Sequence, residues 1–384
     1  MTAAKAIRRE KTMINLTPND RVTVTNADGS VSECVLDSHI YQNFAMGAYM
    51  LRIVDGFKTP AWVSEPRVIF SSPDKGGPAI DWSVAGSMSI TNALVQRAPL
   101  GAFVRNGNEL AVRGSIFRNI HSVLDAVDHR AHSQGLLVKN MREVLIEDCV
   151  FYRCGGYMAG DTLVRSKFDQ GVYIKNTCVK VTIKNCWFIE CSNFGVQMRG
   201  GGTLENCVFY KCAGAISVGR EDYILGGDGV VTSQPRPVTF DIRNVLILGA
   251  CDIGATGQAW GIHVMNTAAG NIENVLFAHA TGLKAARPLI LDCTLNRALG
   301  YEGIANLRIN RVRSTGRTRA SYETVNGTLL NTGDIDASTN AVPVDKDLPD
   351  NLIDSLIHRP AGVYNVEHDA ATYIKAAFKK AGMI

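Results

Sequence analysis

Lys139 and Lys175 occupy the same slot in two near-copies of one phrase, HSQGLLVKN at 132–140 and FDQGVYIKN at 168–176. The phrase recurs as GAFVRN (101–106), GVQMRG (195–200) and GIHVMN (261–266), with AISVGR (215–220) as a looser copy. In each copy two aliphatic residues alternate with positions that face the other way on an extended strand. Reading those outward positions copy by copy gives two files. One is Phe103, Leu137, Tyr173, Gln197, Ser217 and His263; the other is Arg105, Lys139, Lys175, Arg199, Gly219 and Met265. Four successive cations in one file repel one another and cost stability if the copies stack. A repeating anion would relieve that repulsion.

The anion such a file fits is an acidic, uronate-containing polysaccharide, its carboxylates held by charge-assisted hydrogen bonds and its rings stacked on Tyr173. In β-elimination a cation neutralises the carboxylate, the C5 proton becomes acidic, and a Lys, Arg, His or Tyr removes it. Lys139, Lys175, Arg199, Tyr173 and His132 are the candidate catalytic residues, and Arg105, Gln197, His263, Asp169 and Gln170 the candidates for holding substrate. Hydrolysis instead needs two carboxylates roughly 5–9.5 Å apart, for which Asp128, Asp169 and Asp222 are available on loops. Epimerisation begins with the same proton abstraction as elimination. Against these stands a plain reading, a solvated edge whose cations are neutralised by acids from adjoining loops.

Three loops border the phrases. DAVDHRAHSQ brings Asp125, Asp128, His129, Arg130 and His132; YMAGDTLVRSKFDQ brings Asp161, Arg165, Lys167 and Asp169; GREDYILGGDGVVTSQPRP brings Glu221, Asp222, Tyr223 and Asp228. No metal site is expected. Calcium is the one cofactor considered, through Asp125, Asp128 and Asp169, although no defined calcium motif is present.

The elements that must position these groups announce themselves by period. Turn residues followed by short apolar runs fall at Asn92, Gly114, Asp148, Asn185, Asn206, Asn244, Asn274 and Asn310. Asn, Asp and Gly tolerate the left-handed conformation of a sharp bend. Short strands at this period without intervening helices predict a parallel β-helix, with identical positions stacked about 4.8 Å apart. Phe117, Phe151, Phe188, Phe209 and Phe277 then form an inward aromatic ladder. The spacing Cys-x4-Cys at Cys149/Cys154, Cys186/Cys191 and Cys207/Cys212 becomes two ladders of small buried thiols; no Cys-x-x-Cys of a zinc site occurs.

With its Asn-bearing turns, stacked aliphatic strands and Gly-aliphatic-x-aliphatic phrase, the chain resembles the right-handed parallel β-helix proteins of the pectate-lyase-like superfamily, over roughly 66–330. That group includes polysaccharide lyases, glycoside hydrolases, uronan epimerases and phage tailspike depolymerases. The resemblance implies an all-β solenoid and carbohydrate chemistry, and allows a homotrimer. It also implies a non-catalytic alternative, a glycan-binding or structural virion component. The Asn-Thr-Asp and Gly-His-Gly elements of polygalacturonases are absent, and AVDHRAH shares only an Asp and a His with the DPHD element of alginate epimerases.

Solenoid ends need caps. Residues 1–65 lack the phrase and hold RVTVTNADGSVSECVLD, two strands around a turn, so they are expected to form an N-terminal cap. The stack is expected over 66–330, and 331–384 as a polar linker followed by a capping helix at DAATYIKAAFKKAG. A net charge of +4 in 384 residues is too mild to argue for nucleic acid, and no run of 18 apolar residues offers a membrane span. The first residues carry no apolar stretch of a secretory signal. Together with the unpaired thiols this predicts assembly in a reducing cytoplasm, for a virion or for export without a Sec signal.

Overall fold

The computed structural model describes side chains over 78–82, 87–122, 133–157, 163–219, 238–249, 260–265, 267, 269–278, 289–291, 307–314, 347–359 and 366–384, and elsewhere backbone strands alone. The strands form one large sheet whose pairings are almost all parallel, each strand bonded to the equivalent strand of the next coil. This is a parallel β-helix. Before it, Arg21–Thr25 and Val31–Val35 pair antiparallel, the expected hairpin. Parallel stacking reaches beyond both expected borders: Met50–Ile53 pairs with Pro78–Trp82, and Ile335–Asp336 with Asn306–Thr315.

Backbone conformation explains the period. Asn92, Gly114, Asp148, Asn185, Asn206, Asn244 and Asn274 all have φ between 52° and 56°, the left-handed region the turn requires. The eighth turn residue is Arg311, φ 51°, rather than Asn310, because Asn310 pairs with Glu273 and stays in the strand. Five residues after six of these turns comes a second one, at Arg97, Asn119, Arg153, Glu190, Lys211 and Gly249, also at positive φ. The residue after each bend points inward, and this produces the Cys-x4-Cys spacing. At the first bend Ser115, Cys149, Cys186 and Cys207 each donate back to the carbonyl two residues earlier, at 2.9, 3.2, 3.1 and 3.3 Å. A small residue with a weak donor suits that corner.

Inside, Phe117, Phe151, Phe188 and Phe209 stack with ring centroids 4.9, 5.1 and 4.8 Å apart. The ladder is then interrupted, because Ile247 lies in register between Phe209 and Phe277. The close approach of the next coil dictates the Gly of the repeated phrase. A Cβ on Gly101, Gly135 or Gly171 would come within 2.2, 2.5 and 2.6 Å of the carbonyl oxygens of Gly135, Gly171 and Gly195, and the Phe rings crowd the same space. A Cβ on Gly101, Gly135 or Gly195 would come within 3.2, 3.1 and 2.5 Å of the Phe117, Phe151 and Phe209 rings.

Two helices, α1 (Asp350–Ile357) and α2 (Ala370–Lys380), lie along one flank. There the coils present an outward apolar stripe that includes Ile116, Val150, Trp187, Val208, Leu246 and Leu276, covered by Leu356, Ile374 and Phe378. Asp369 caps α2 by accepting from the Ala371 and Thr372 amides. Polar pins fix the strap: Arg118 donates to the Ile357 carbonyl (2.9 Å), Arg359 to that of Asp148 (2.6 Å), Trp187 Nε1 to that of His368 (2.9 Å), and Arg313 to that of Ala381. Helix α1 falls partly within the expected linker. Its apolar spacing at Leu352, Ile353, Leu356 and Ile357 was the available signal.

Candidate functional site

The two files stand in register on the outside of the stack. Phe103 pairs with Leu137, Leu137 with Tyr173, Tyr173 with Gln197, Gln197 with Ser217, and Ser217 with His263. Beside them Arg105 pairs with Lys139. The Lys175 amide donates to the Val138 carbonyl and that of Arg199 to Ile174, which carries the cationic file upward. Expected neighbours are thus neighbours.

Their surroundings differ from coil to coil. Arg105 is neutralised by Asp81 at 3.1 Å and lies 4.1 Å over the Phe103 ring. Lys139 is exposed, and Lys175 half-buried, and neither has a carboxylate partner among the described residues. Lys175 Nζ donates to Tyr173 Oη at 2.9 Å and sits 4.4 Å from the centre of that ring. Arg199, read from the sequence as outward, is 2% exposed; its Nη1 reaches Met265 Sδ at 3.7 Å, past Gly219. Gln197 (5%), Ser217 (0%) and His263 (9%) are buried as well. The wall is therefore open at Lys139 and closed from Gln197 upward.

A second outward column shows how this chain treats charge when only stability is at stake. Arg113, Glu147, Lys184, Glu205, Arg243 and Glu273 follow one another in register with strictly alternating sign. Glu147 meets Arg113 at 3.2 Å and Lys184 at 2.6 Å; Glu205 meets Arg243 at 3.2 Å. Burial pushes the Glu147 carboxyl up, but hydrogen bonds from Lys184 and Arg113 outweigh it and hold the group below its usual range. The Lys139–Lys175 file lacks such alternation.

Asp169 and Gln170 have partners within the protein. The Asp169 carboxylate accepts from the Ser133 and Gly156 amides, both at 2.9 Å, tying two loops together. Burial raises its pKa to about 6, although those hydrogen bonds pull the other way. Gln170 Oε1 accepts from Gln134 Nε2 at 3.4 Å, so the Gln of the repeated phrase forms a buried amide pair. His132, Asp125, Asp128, His129, Arg130, Asp161, Glu221, Asp222, Tyr223 and Asp228 lie outside the described residues, and with them two of the three hydrolytic candidates and most of the calcium set. Among the described residues no three His, Cys, Asp or Glu side chains converge as a metal site would require, and no helix is long and apolar enough to cross a membrane.

Sequence reading missed Phe194 and Trp260. Phe194 stacks on His263 with centroids 6.2 Å apart, and Trp260 meets the same imidazole edge-on at 5.0 Å. Both precede the Gly of their phrase copy, where Gln134 and Gln170 stand in earlier coils. Extending the alignment one residue leftward exposes them.

Residues 67–228, which include the whole cationic file, match the family model described as right handed beta helix region. Comparison with curated proteins and with solved structures gave no match. The solenoid is thus a right-handed β-helix, a domain often found in carbohydrate-active enzymes and adhesins.

Proposed function

We propose that this right-handed β-helix binds an acidic polysaccharide along the wall of Lys139, Tyr173 and Lys175 and cleaves it by β-elimination. The observation that carries the reading is the contrast between the two charged columns. One is neutralised strand by strand, whereas the other leaves two stacked lysines with no acid partner among the described residues, beside a phenol that one of them contacts. Lys139 and Lys175 neutralise the uronate carboxylate, which stabilises the enolate formed when the C5 proton leaves. Tyr173, oriented by the Lys175 hydrogen bond, accepts that proton as phenolate. The C5 electron pair then forms the C4–C5 double bond as the glycosidic oxygen departs and takes a proton from water, and the hydroxide so formed removes the proton from Tyr173 and restores the phenolate.

The test is ultraviolet absorbance of unsaturated product, with alginate, pectate, glycosaminoglycans and bacterial capsules as substrates. Tyr173→Phe is expected to lower turnover about 100-fold or more, and Lys175→Ala to abolish it with the melting temperature unchanged. Absorbance undiminished in both variants would place the chemistry elsewhere. Binding without product would leave a glycan-binding module, and new reducing ends without absorbance would indicate hydrolysis.

A further inference from the structure

The strap meets the solenoid around one buried imidazole. His368, 6% exposed, stands one residue before the Asp369 cap of α2. Its carbonyl accepts from Trp187 Nε1 at 2.9 Å, its Nε2 meets Ser355 Oγ of α1, and its Nδ1 is buried with no partner among the described residues. A neutral ring carries one proton and has one partner. An imidazolium carries a proton on both nitrogens, and the one on Nδ1 would be a charged donor buried without an acceptor. The surrounding charges do not offset this. Arg359, itself buried, adds a second cation, and Glu367 is an exposed acid. On α1, Asp354 pairs with His358 at 3.0 Å. Asp369 is committed to the Ala371 and Thr372 amides. On the solenoid, Asp148 lies among Glu147, Arg359 and Lys184. Residues 360–365, PAGVYN, contain no acid, lysine, arginine or histidine. Burial first, and Arg359 second, hold the His368 pKa below its usual range against the pull of Glu367.

We infer that His368 makes the strap a clasp that acid opens: protonation of the ring releases α2 from the flank and bares the apolar stripe around Trp187. Linkage fixes the sign. Above about pH 6.5 the ring is neutral whether α2 is docked or released, and docking has its full strength. As pH falls through 6.5 the released form takes up its proton first, so docking weakens until the docked ring protonates as well. Asp169, with its raised pKa, drives the opposite trend in the solenoid, which gains stability on acidification. Strap and solenoid therefore respond to acid with opposite signs. The clasp operates whether or not the lysine wall binds a glycan.

The experiment is amide hydrogen exchange of the full chain at pH 7.5 and pH 5, each rate corrected for its intrinsic pH dependence. In the wild type, opening of Ala370–Lys380 is expected to rise by as much as about 30-fold, the limit for a docked ring that stays neutral. His368→Gln, uncharged at both pH values, should show no such rise. Ser355→Asp sets a carboxylate against Nε2 and stabilises the imidazolium, so it should remove or reverse the rise; it serves as the test if His368→Gln fails to fold. Equal protection of α2 at both pH values in the wild type would overturn the clasp. A rise that persists in the variants would assign the titration to another group, such as Asp148 or His358, and overturn it too. So would exchange that quickens equally in Phe194–Met198, since that is general unfolding in acid.

Discussion

Single side chains in this fold are placed by the coil beneath and the coil above, and Asp169 shows what that costs. Its carboxyl is held at about 6 against an ordinary 3.8, with burial the main cause. Below pH 3.8 it is protonated whether the chain is folded or not. As pH rises from 3.8 through 6 the unfolded chain ionises first, so stability falls by roughly 2–3 kcal/mol across that window. Urea midpoints of the wild type and Asp169→Asn at pH 4 and pH 6.5 check this; the wild type should lose ground relative to the variant at the higher pH. A gap that stays constant would show that Asp169 does not titrate there. The sequence made Asp169 legible as a polar loop residue near the site, but not as a tie between the Ser133 and Gly156 amides, because its partners are backbone groups of other coils. Lys139, Tyr173 and Lys175 were legible because alternation fixed both their face and their register. The burial of Arg199, Gln197 and His263 was not, since period-2 alternation says which way a side chain points and nothing of what lies over it.

At the scale of turns and ladders, residue type and conformation were linked wherever the left-handed bend fell on Asn, Asp or Gly. The second bend was hidden in four coils, where Arg97, Arg153, Glu190 and Lys211 carry no turn signature. There the register imposed by neighbouring coils overrides local preference, at a cost of roughly 1–2 kcal/mol per residue. Asn206, φ 52°, allows a direct check. Asn206→Ala is expected to destabilise by about 1–2 kcal/mol and Asn206→Gly by less, read from urea midpoints. Equal losses would mean that the side-chain amide, rather than the backbone conformation, is what the turn needs. The thiols follow the same logic. Cys149, Cys154, Cys186, Cys191, Cys207 and Cys212 are fully or almost fully buried, and burial raises the pKa of Cys149, Cys186, Cys191 and Cys212 well above the usual thiol range. A ladder of hydrophobes with weak donors accounts for them.

Over the whole molecule, the feature least visible in sequence is the flank strap. A solenoid coil ordinarily touches only its neighbours, yet α1 and α2 join strands from Arg118 to Arg313. Composition and helical spacing announced α2, but which wall it covers depends on an outward apolar stripe assembled from coils far apart in the chain. Phe378→Ala should cost about 3–5 kcal/mol. Amide hydrogen exchange should then quicken in α2 and also in Gly202–Tyr210 and Thr239–Leu248, the strands it touches. Quickening confined to the helix would mean that strap and solenoid open independently. Repeat arrays commonly lengthen or shorten by copying units, but this one carries its own ruler. An added coil between Arg118 and Arg313 would push Arg313 about 4.8 Å away from the Ala381 carbonyl it holds and slide the apolar stripe out of step with α2. The number of units across that stretch is therefore fixed by a segment that belongs to none of them.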